Sequence, residues 1–193
     1  MSTDQFGAFE SVSQHGEEVQ RLRGEVARLE LKVSQLDRLA HEDSLVRLPN
    51  RRGLLRSLEK LIARVTRYGD DAAFLFIDIN GLKRINDNFG HPAGDEALLH
   101  VAECLVQGVR ASDCVARIGG DEFAVLLEHA DEATARDTAA RLIGQVAECR
   151  FSYNGNEMPL NVAIGITQIV AGDNPAEVML RADQQMYRMK AKR

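Results

Sequence analysis

Apolar residues recur at alternating spacings of three and four near the start of the chain. They are Val19, Leu22, Val26, Leu29, Val33, Leu36 and Ala40. This alternation is a heptad repeat, with β-branched valine at the first core position and leucine at the second, a combination that favours parallel two-stranded coiled coils. The repeat therefore predicts a parallel coiled-coil helix in residues 1–42 that joins two copies of the chain into a homodimer.

The charges that flank this repeat mostly agree with a parallel pair. The residues that would face each other are Glu18 with Arg23, Lys32 with Asp37, and Glu25 with Glu30. The first two pairs attract and the third repels. The repeat covers about 22 residues, or roughly 33 Å of helix, which is short for a coiled coil that stands alone. The alternative is one amphipathic helix packed on its own domain, but such a helix normally has a wider apolar face.

After residue 42 the hydrophobic pattern alternates between helical and strand periods. The predicted elements are a helix that ends at Gly69, a strand over residues 72–79, a helix over about residues 93–109, a β-hairpin centred on Gly119 and Gly120, a helix over residues 131–149, a strand around residues 162–166 after an Asn-Gly turn, and a last helix with Pro175 near its start. This order predicts a second domain, residues 43–193, with an α+β fold of the split-βαβ kind, a mixed β-sheet flanked by helices.

Composition and charge exclude several classes of function. The chain is 45% hydrophobic and 27% charged, which is normal for a globular protein. Its net charge of −5 makes a nucleic acid polymer an unexpected partner, whereas a single nucleotide remains compatible. No stretch approaches about 18 apolar residues, so no membrane span is predicted. The first 18 residues lack the basic start and apolar run of a signal peptide, and we expect a cytoplasmic protein.

The three cysteines, Cys104, Cys114 and Cys149, are odd in number and show no C-x-x-C or histidine-rich spacing. We expect them to be reduced, half-buried apolar residues of a cytosolic protein.

An acidic pair follows two glycines in the stretch RIGGDEFAVLLE, residues 117–128. Asp121 and Glu122 would lie at the hairpin turn, and Asp78 ends the apolar run of residues 72–79. If that run is a central strand beside the hairpin, Asp78 and Asp121 meet at one edge of the sheet. Carboxylates, a backbone carbonyl and phosphate oxygens form the hard-oxygen site that Mg²⁺ prefers. The alternatives are an acidic hairpin tip and a strand-end aspartate that caps a helix or lies in a loop.

Other polar residues are weaker candidates by spacing alone. Asn86 and Asp95 could converge on a guanine, or instead end one helix and cap the next. Lys83 and Lys190 could neutralise phosphates, although single lysines on helices are usually solvated. The string R-x-x-D from Arg110 to Asp113 is commonly a surface ion pair at a helix end.

Five stretches, in order, match the pattern of the diguanylate cyclase, or GGDEF, family. They are LPNRR (residues 48–52), FIDINGLKRIND (76–87), GHPAGDEAL (90–98), RIGGDEFAVLL (117–127) and RADQQMYRMK (181–190). The chain therefore resembles this family from residue 43 onward. The resemblance implies a fold like that of nucleotide cyclases and polymerase palms. It also implies that a dimer condenses two GTP molecules into cyclic di-GMP with release of two pyrophosphates.

The resemblance also implies roles for individual residues. Asp78, Asp121 and the Ile79 carbonyl would bind Mg²⁺, with two ions in each half of the active site and Mn²⁺ able to substitute. Glu122 would activate the 3′-hydroxyl or bind the second ion. The remaining substrate contacts would be Gly119 and Gly120, where the backbone approaches the phosphates, Asn86 and Asp95 on guanine, and Lys83 and Lys190 on the phosphates. The aspartate at position 95 implies GTP rather than ATP.

In this family an R-x-x-D just before the hairpin is an inhibitory site for the product. The resemblance assigns that site to Arg110 and Asp113, with Arg64 as a second contact supplied by another domain. The alternative functions are a non-catalytic cyclic di-GMP receptor and a coiled-coil scaffold. Such relatives usually lose the acidic pair, which this chain keeps. Val46 and Arg47 replace the Thr-Gly that the family often has before LPN.

Overall fold

The structure is a computed structural model that describes the backbone of residues 3–190 and the side chains of residues 18 and 20–190. The chain divides into two units, Met1–Ala40 and His41–Arg193. The boundary predicted from the sequence, after residue 42, lies two residues further along, and the separate roles of the two parts stay predictions. None of the helices in the described part of the chain has the length and apolar content needed to cross a bilayer.

The first unit is formed by helix α1, Thr3–His41. Five side chains of the heptad repeat are between 47% and 65% exposed, namely Leu22, Val26, Leu29, Val33 and Leu36. The side chain of Val19 lies outside the described residues. Ion pairs within the helix join Arg21 to Glu18 at 2.8 Å and Arg28 to Glu25 at 2.6 Å. The helix is therefore confirmed, and its pairing with a second copy stays a prediction.

The second unit contains five helices and six strands among the described residues, and the predicted α+β class is confirmed. In chain order they are α2 Arg51–Tyr68, β1 Ala72–Asn80, α3 Leu82–Phe89, α4 His91–Gln107, β2 Cys114–Arg117, β3 Glu122–Glu128, α5 Glu132–Glu148, β4 Phe151–Tyr153, β5 Asn156–Met158, β6 Asn161–Ile169 and α6 Pro175–Lys190.

The main sheet has the strand order β2-β3-β1-β6, and each of its three strand pairs is antiparallel. The prediction of a mixed sheet is therefore wrong in this detail. In a split-βαβ fold, β1 and β2 are joined through helices and run in the same direction, but β3 lies between them. Each strand then has only antiparallel neighbours. Strands β4 and β5 form a separate hairpin.

The two faces of the sheet pack against different helices, and the alternation of residues along β1 decides which side chain faces which layer. Leu75 and Ile77 belong to the core that includes α4 and α5. Phe74 and Phe76 belong to the core that includes α2 and α6. Asp78 continues the even-numbered series, so its side chain lies on the α2 and α6 face.

Helix α6 packs closely on β6 because Gly165 has no side chain. A Cβ at Gly165 would lie 2.1 Å from the Ala182 carbonyl oxygen. Beside Ala182 in the same helix, Arg181 pairs with Asp173 at 2.7 Å and donates to the Gln168 carbonyl oxygen at 3.0 Å. These contacts fix the helix that carries Asp183 and Lys190 over the sheet.

Candidate active site

Three carboxylates meet where β1 ends beside the β2–β3 turn. Asp78 and Glu122 are paired across β1 and β3, so both lie on the α2 and α6 face of the sheet. Asp121 is the last residue of the turn, and its carbonyl oxygen accepts a hydrogen bond from the Ile79 N–H at 3.0 Å. The structure thus brings Asp78, Ile79, Asp121 and Glu122 to one sheet edge, with Asp78 inside a strand rather than at a helix cap.

The surroundings of Glu122 disfavour the negative charge of its carboxylate. Burial raises the pKa of the Glu122 carboxyl, and the neighbouring charges of Asp121, Asp78 and Asp183 raise it further, against a smaller opposing effect of Arg51. Lys190, which was predicted to bind phosphate, lies beside these carboxylates, with its Nζ 2.5 Å from Asp78 Oδ1. A group of carboxylates that repel one another in this way is stabilised by a bound cation.

Arg117 holds the turn that carries the two glycines. Its guanidinium donates to the carbonyl oxygens of Gly119 at 3.2 Å and Gly120 at 2.8 Å, and it pairs with Asp43 at 3.2 Å. Both partners of the ion pair are mostly buried. Within the described residues, no hydrogen bond occupies the N–H groups of Gly120 and Asp121. Arg117 thus fixes the turn by its carbonyl groups, and the N–H groups of Gly120 and Asp121 stay unpaired among residues 3–190.

We expect Arg117→Ala to destabilise the second unit by about 2–4 kcal/mol, because it leaves the mostly buried Asp43 carboxylate without its cationic partner and removes two charge-assisted hydrogen bonds. Urea unfolding followed by circular dichroism measures this loss. Arg117→Lys is the matched control, because it keeps the charge but not the planar fork, and it should lose less. A loss below about 0.5 kcal/mol for the alanine variant would contradict the role of Arg117.

The two glycines differ in their surroundings. A Cβ at Gly119 would lie 2.8 Å from Glu122 Oε2, whereas a Cβ at Gly120 would meet nothing within 4 Å. Neither glycine has a positive φ. Gly119 therefore leaves space for the Glu122 carboxylate, a function that the sequence did not predict, and the approach of phosphates to both glycines stays a prediction.

Asn86 and Asp95 lie on adjacent helices that contact each other, α3 and α4. A Cβ at Gly94 would lie 2.0 Å from Asn86 Oδ1, so the amide of Asn86 rests against the residue that precedes Asp95. Asn86 Oδ1 is buried without a hydrogen-bond partner, and Asp95 is exposed. Neither residue caps a helix, because α3 ends and α4 begins at Gly90. Lys83 is exposed on α3 and has no ion pair among the described residues.

Asp113 of the R-x-x-D string is hydrogen-bonded to its own loop and to the end of β3. Its carboxylate accepts from the backbone N–H of Arg110 at 2.9 Å and from that of Glu128 at 3.1 Å. The side chain of Arg110 is exposed. Arg64 pairs with Glu128 at 2.6 Å and lines a cavity of about 300 Å³ together with Ser112. Arg64 and the segment around Asp113 are thus neighbours within one chain.

Sequence reasoning did not identify Asp183 and Arg51. Both line a cavity of about 320 Å³ together with Glu122. The signal for Asp183 was its spacing from Lys190, because residues seven apart lie on the same face of a helix. Arg51 follows the predicted Pro-Asn turn, in the first turn of α2. Nothing in that position predicts that it lies near Glu122, which is 71 positions later.

An antiparallel split-βαβ sheet with a carboxylate edge beside a glycine turn defines an α+β domain of the nucleotide-cyclase and polymerase-palm kind. The sequence profile of the family described as "Diguanylate cyclase, GGDEF domain" matches residues 40–193. The chain belongs to this family.

Individual relatives agree with this assignment. The diguanylate cyclase DgcP of Pseudomonas aeruginosa is 40% identical over 148 residues, which cover 77% of this chain and 22% of the relative. The crystallised GGDEF domain of TpbB, also called YfiN, from P. aeruginosa has a TM-score of 0.75 and 37% identity, and the match covers 79% of this chain and 90% of that one.

A third comparison extends to the N-terminal segment. The coiled coil and GGDEF domain of DgcB from Caulobacter crescentus, crystallised with c-di-GMP, has a TM-score of 0.85 at 24% identity, and the match covers 92% of this chain and 94% of that one. At that identity the likeness concerns the fold alone. The chain spans about a fifth to a third of the length of the first curated relatives that it matches.

Proposed function

We propose that this chain is a diguanylate cyclase that condenses two GTP molecules into cyclic di-GMP and two pyrophosphates. The observation that carries the proposal is the pairing of Asp78 with Glu122 across adjacent strands, with Asp121 in the turn beside them. In each half of the reaction, the 3′-oxygen of one GTP forms a bond to the α-phosphorus of the other. The bond to pyrophosphate breaks, and the hydroxyl proton leaves to a base or to water.

The carboxylates fit a hard divalent cation. Asp78, Asp121, Glu122 and the Ile79 carbonyl would hold Mg²⁺. Burial raises the pKa of Glu122 and the neighbouring carboxylates raise it further, and a cation would relieve the repulsion among these carboxylates. When bound, Mg²⁺ stabilises the charge on the reacting phosphates and makes the 3′-hydroxyl more acidic. Glu122 would accept the hydroxyl proton or hold a second ion. Lys190 would neutralise phosphate charge, and the unpaired N–H groups of Gly120 and Asp121 would bind phosphate oxygens.

Asn86 and Asp95 would recognise the guanine. The amide oxygen of Asn86 is buried without a partner, and the N–H donors of a guanine edge would satisfy it. Asp95, exposed on the adjacent helix, would accept from the same edge of the base. Lys83 is exposed on α3, three residues before Asn86, and we assign it to the phosphates.

The reaction needs two copies of the domain, because each would hold one GTP and the two nucleotides must face each other. The exposed heptad side chains of α1 favour a parallel coiled coil as the element that pairs them. Pairing two tethered domains replaces a bimolecular encounter with an intramolecular one.

The direct test is to incubate the purified chain with GTP and Mg²⁺ and to identify the product by mass spectrometry. We expect cyclic di-GMP and two pyrophosphates per product, and no cyclic product from ATP. Absence of cyclic di-GMP at micromolar protein, from a folded sample, would contradict the proposal. Binding of added cyclic di-GMP without any turnover would favour the receptor alternative.

We also propose that the product inhibits the enzyme through Arg110, with Asp113 and Arg64 beside it. Arg110→Ala should raise the cyclic di-GMP concentration needed for half inhibition about 10- to 100-fold, because a forked contact to a guanine edge contributes about 1–3 kcal/mol. Initial rates of pyrophosphate release at increasing product concentration measure this shift.

Arg110→Ala is a cleaner test than a change at Asp113, since the Asp113 carboxylate also holds the backbone of its loop. Arg136→Ala is the matched control, because Arg136 is an exposed arginine on α5 whose ion pair is with Glu132. Unchanged inhibition in the Arg110 variant would refute the inhibitory site.

A further inference from the structure

Two of the three cysteines meet a histidine between α4 and α5. The Sγ atoms of Cys104 and Cys149 are 2.8 Å apart. One ligand atom from each of His100, Cys104 and Cys149 lies within 4.8 Å of the other two. His100 and Cys104 are one turn apart on α4, and Cys149 is the residue at the end of α5. No sequence pattern predicts that Cys149 joins the pair formed by His100 and Cys104.

The histidine has an unsatisfied nitrogen. His100 Nε2 is buried and has no hydrogen-bond partner, and its ring lies 5.6 Å from that of Phe151. A buried polar atom without a partner is destabilising and calls for an explanation. A disulfide between Cys104 and Cys149 would leave this nitrogen unpaired. A metal ion bound by this nitrogen and both sulfurs would satisfy it.

We propose that His100, Cys104 and Cys149 form a Cys₂His site for a thiophilic divalent cation of the Zn²⁺ class. Two thiolates and one imidazole match the ligands that Zn²⁺ selects, whereas Mg²⁺ and Ca²⁺ prefer oxygen. The three residues leave a fourth position for water or a carboxylate. His100 and Glu103 line a surface cavity of about 300 Å³ that gives an ion access to the site.

The geometry needs a small adjustment for binding. Two Zn–S bonds of about 2.3 Å at the tetrahedral angle place the sulfurs about 3.8 Å apart, so they must separate by about 1 Å. Cys149 can move its sulfur by rotating its side chain, because it is half-buried and has extended backbone at the end of α5. Binding replaces two thiol protons, which are released to solvent, and affinity therefore rises with pH.

The site has a structural consequence that does not depend on the cyclase activity. It connects α4, the helix that carries Asp95, to the end of α5 just before β4. Because an ion that binds only the folded chain stabilises it, Zn²⁺ should raise the melting temperature by about 5–10 °C at a hundredfold excess over its Kd.

The test is a Co²⁺ titration of the reduced full chain in the presence of saturating Mg²⁺, which occupies the carboxylate edge. We expect one Co²⁺ per chain with a thiolate-to-cobalt charge-transfer band, displaced by Zn²⁺. The matched variants are Cys149→Ser, which should lose about half of that band or all binding, and His100→Gln, which should weaken Zn²⁺ binding at least tenfold. Cys114→Ser is the control and should bind as the wild type does, since its thiol lies at another cavity.

The wild-type spectrum decides the question even if a variant fails to fold. Reduced protein without a charge-transfer band would overturn the proposal. It would also be overturned by air-oxidised protein that has lost the mass of two hydrogens and takes up no metal after reduction, because the pair would then be a disulfide.

Discussion

Glu122→Gln should lower the rate of cyclic di-GMP synthesis by about 10³-fold or more, since loss of a general base alone costs 10²- to 10⁴-fold. The substitution keeps the size of the side chain and the space left by Gly119, and it removes only the negative charge that faces Asp78. Pyrophosphate release and product mass measure the effect. Glu157→Gln is the matched control, because Glu157 is an exposed carboxylate on a strand of the other hairpin, and it should retain the wild-type rate.

The same variant should fold at least as stably as the wild type at pH 7. The pKa of Glu122 is raised in the folded state above its ordinary value of 4.5. Its contribution to stability is therefore complete below pH 4.5 and is lost as the pH rises through the folded value. Glutamine stays neutral, so the free energies of unfolding of the two proteins should converge below pH 4.5. A variant that is inactive and also less stable at pH 7 would mean that Glu122 holds the fold, against the catalytic assignment.

Removal of residues 1–40 should lower the activity per domain about 100-fold or more at submicromolar protein, because a short tether supplies an effective concentration in the millimolar range. The cut belongs before His41, whose carbonyl accepts the Asn50 N–H at 2.8 Å, and before the bridge between Glu42 and Pro49. Activity should return as the concentration of the truncated protein is raised. Equal specific activity of the two forms when dilute would refute the need for residues 1–40.

A pair of point variants separates dimerisation from a general effect of truncation. Leu29 and Leu31 are both exposed leucines on α1, but only Leu29 lies in the heptad core. Leu29→Asp should dissociate the dimer and reduce activity at low concentration, whereas Leu31→Asp should change neither. Sedimentation at the assay concentration reports the oligomeric state. Equal behaviour of the two variants would count against the coiled coil.

The hydrophobic period was enough to predict the elements that form the scaffold. The helix that ends at Gly69, the buried strand that ends near Asp78, and the hairpin around Gly119 and Gly120 all follow from local patterns. The convergence of Asp78 and Asp121 followed from placing that strand beside the hairpin. These predictions succeed because each depends on residues close together in sequence, or on one strand pairing.

Contacts between segments that are distant in the sequence could not be predicted from local patterns. Arg117 reaches Asp43, Asp183 approaches Glu122, and Cys104 meets Cys149, and each contact depends on how whole layers pack. The mixed sheet was a wrong prediction for the same reason, since local periods do not reveal which strand inserts between two others. The sequence likewise does not predict that Asn86 Oδ1 is buried without a hydrogen-bond partner, because this depends on the packing of Gly94 against it.

Gly94 and Gly119 show that a search for inactive members of this family should inspect more than its acidic residues. At both positions a single methyl group would collide with a side chain of the proposed site, Asn86 in one case and Glu122 in the other. A relative with alanine at position 94 would keep every charged residue but displace the Asn86 amide, which we assign to guanine. Alanine at position 119 would displace the Glu122 carboxylate. The absence of a side chain at Gly94 and Gly119 is therefore a requirement of the proposed site in addition to its acidic residues.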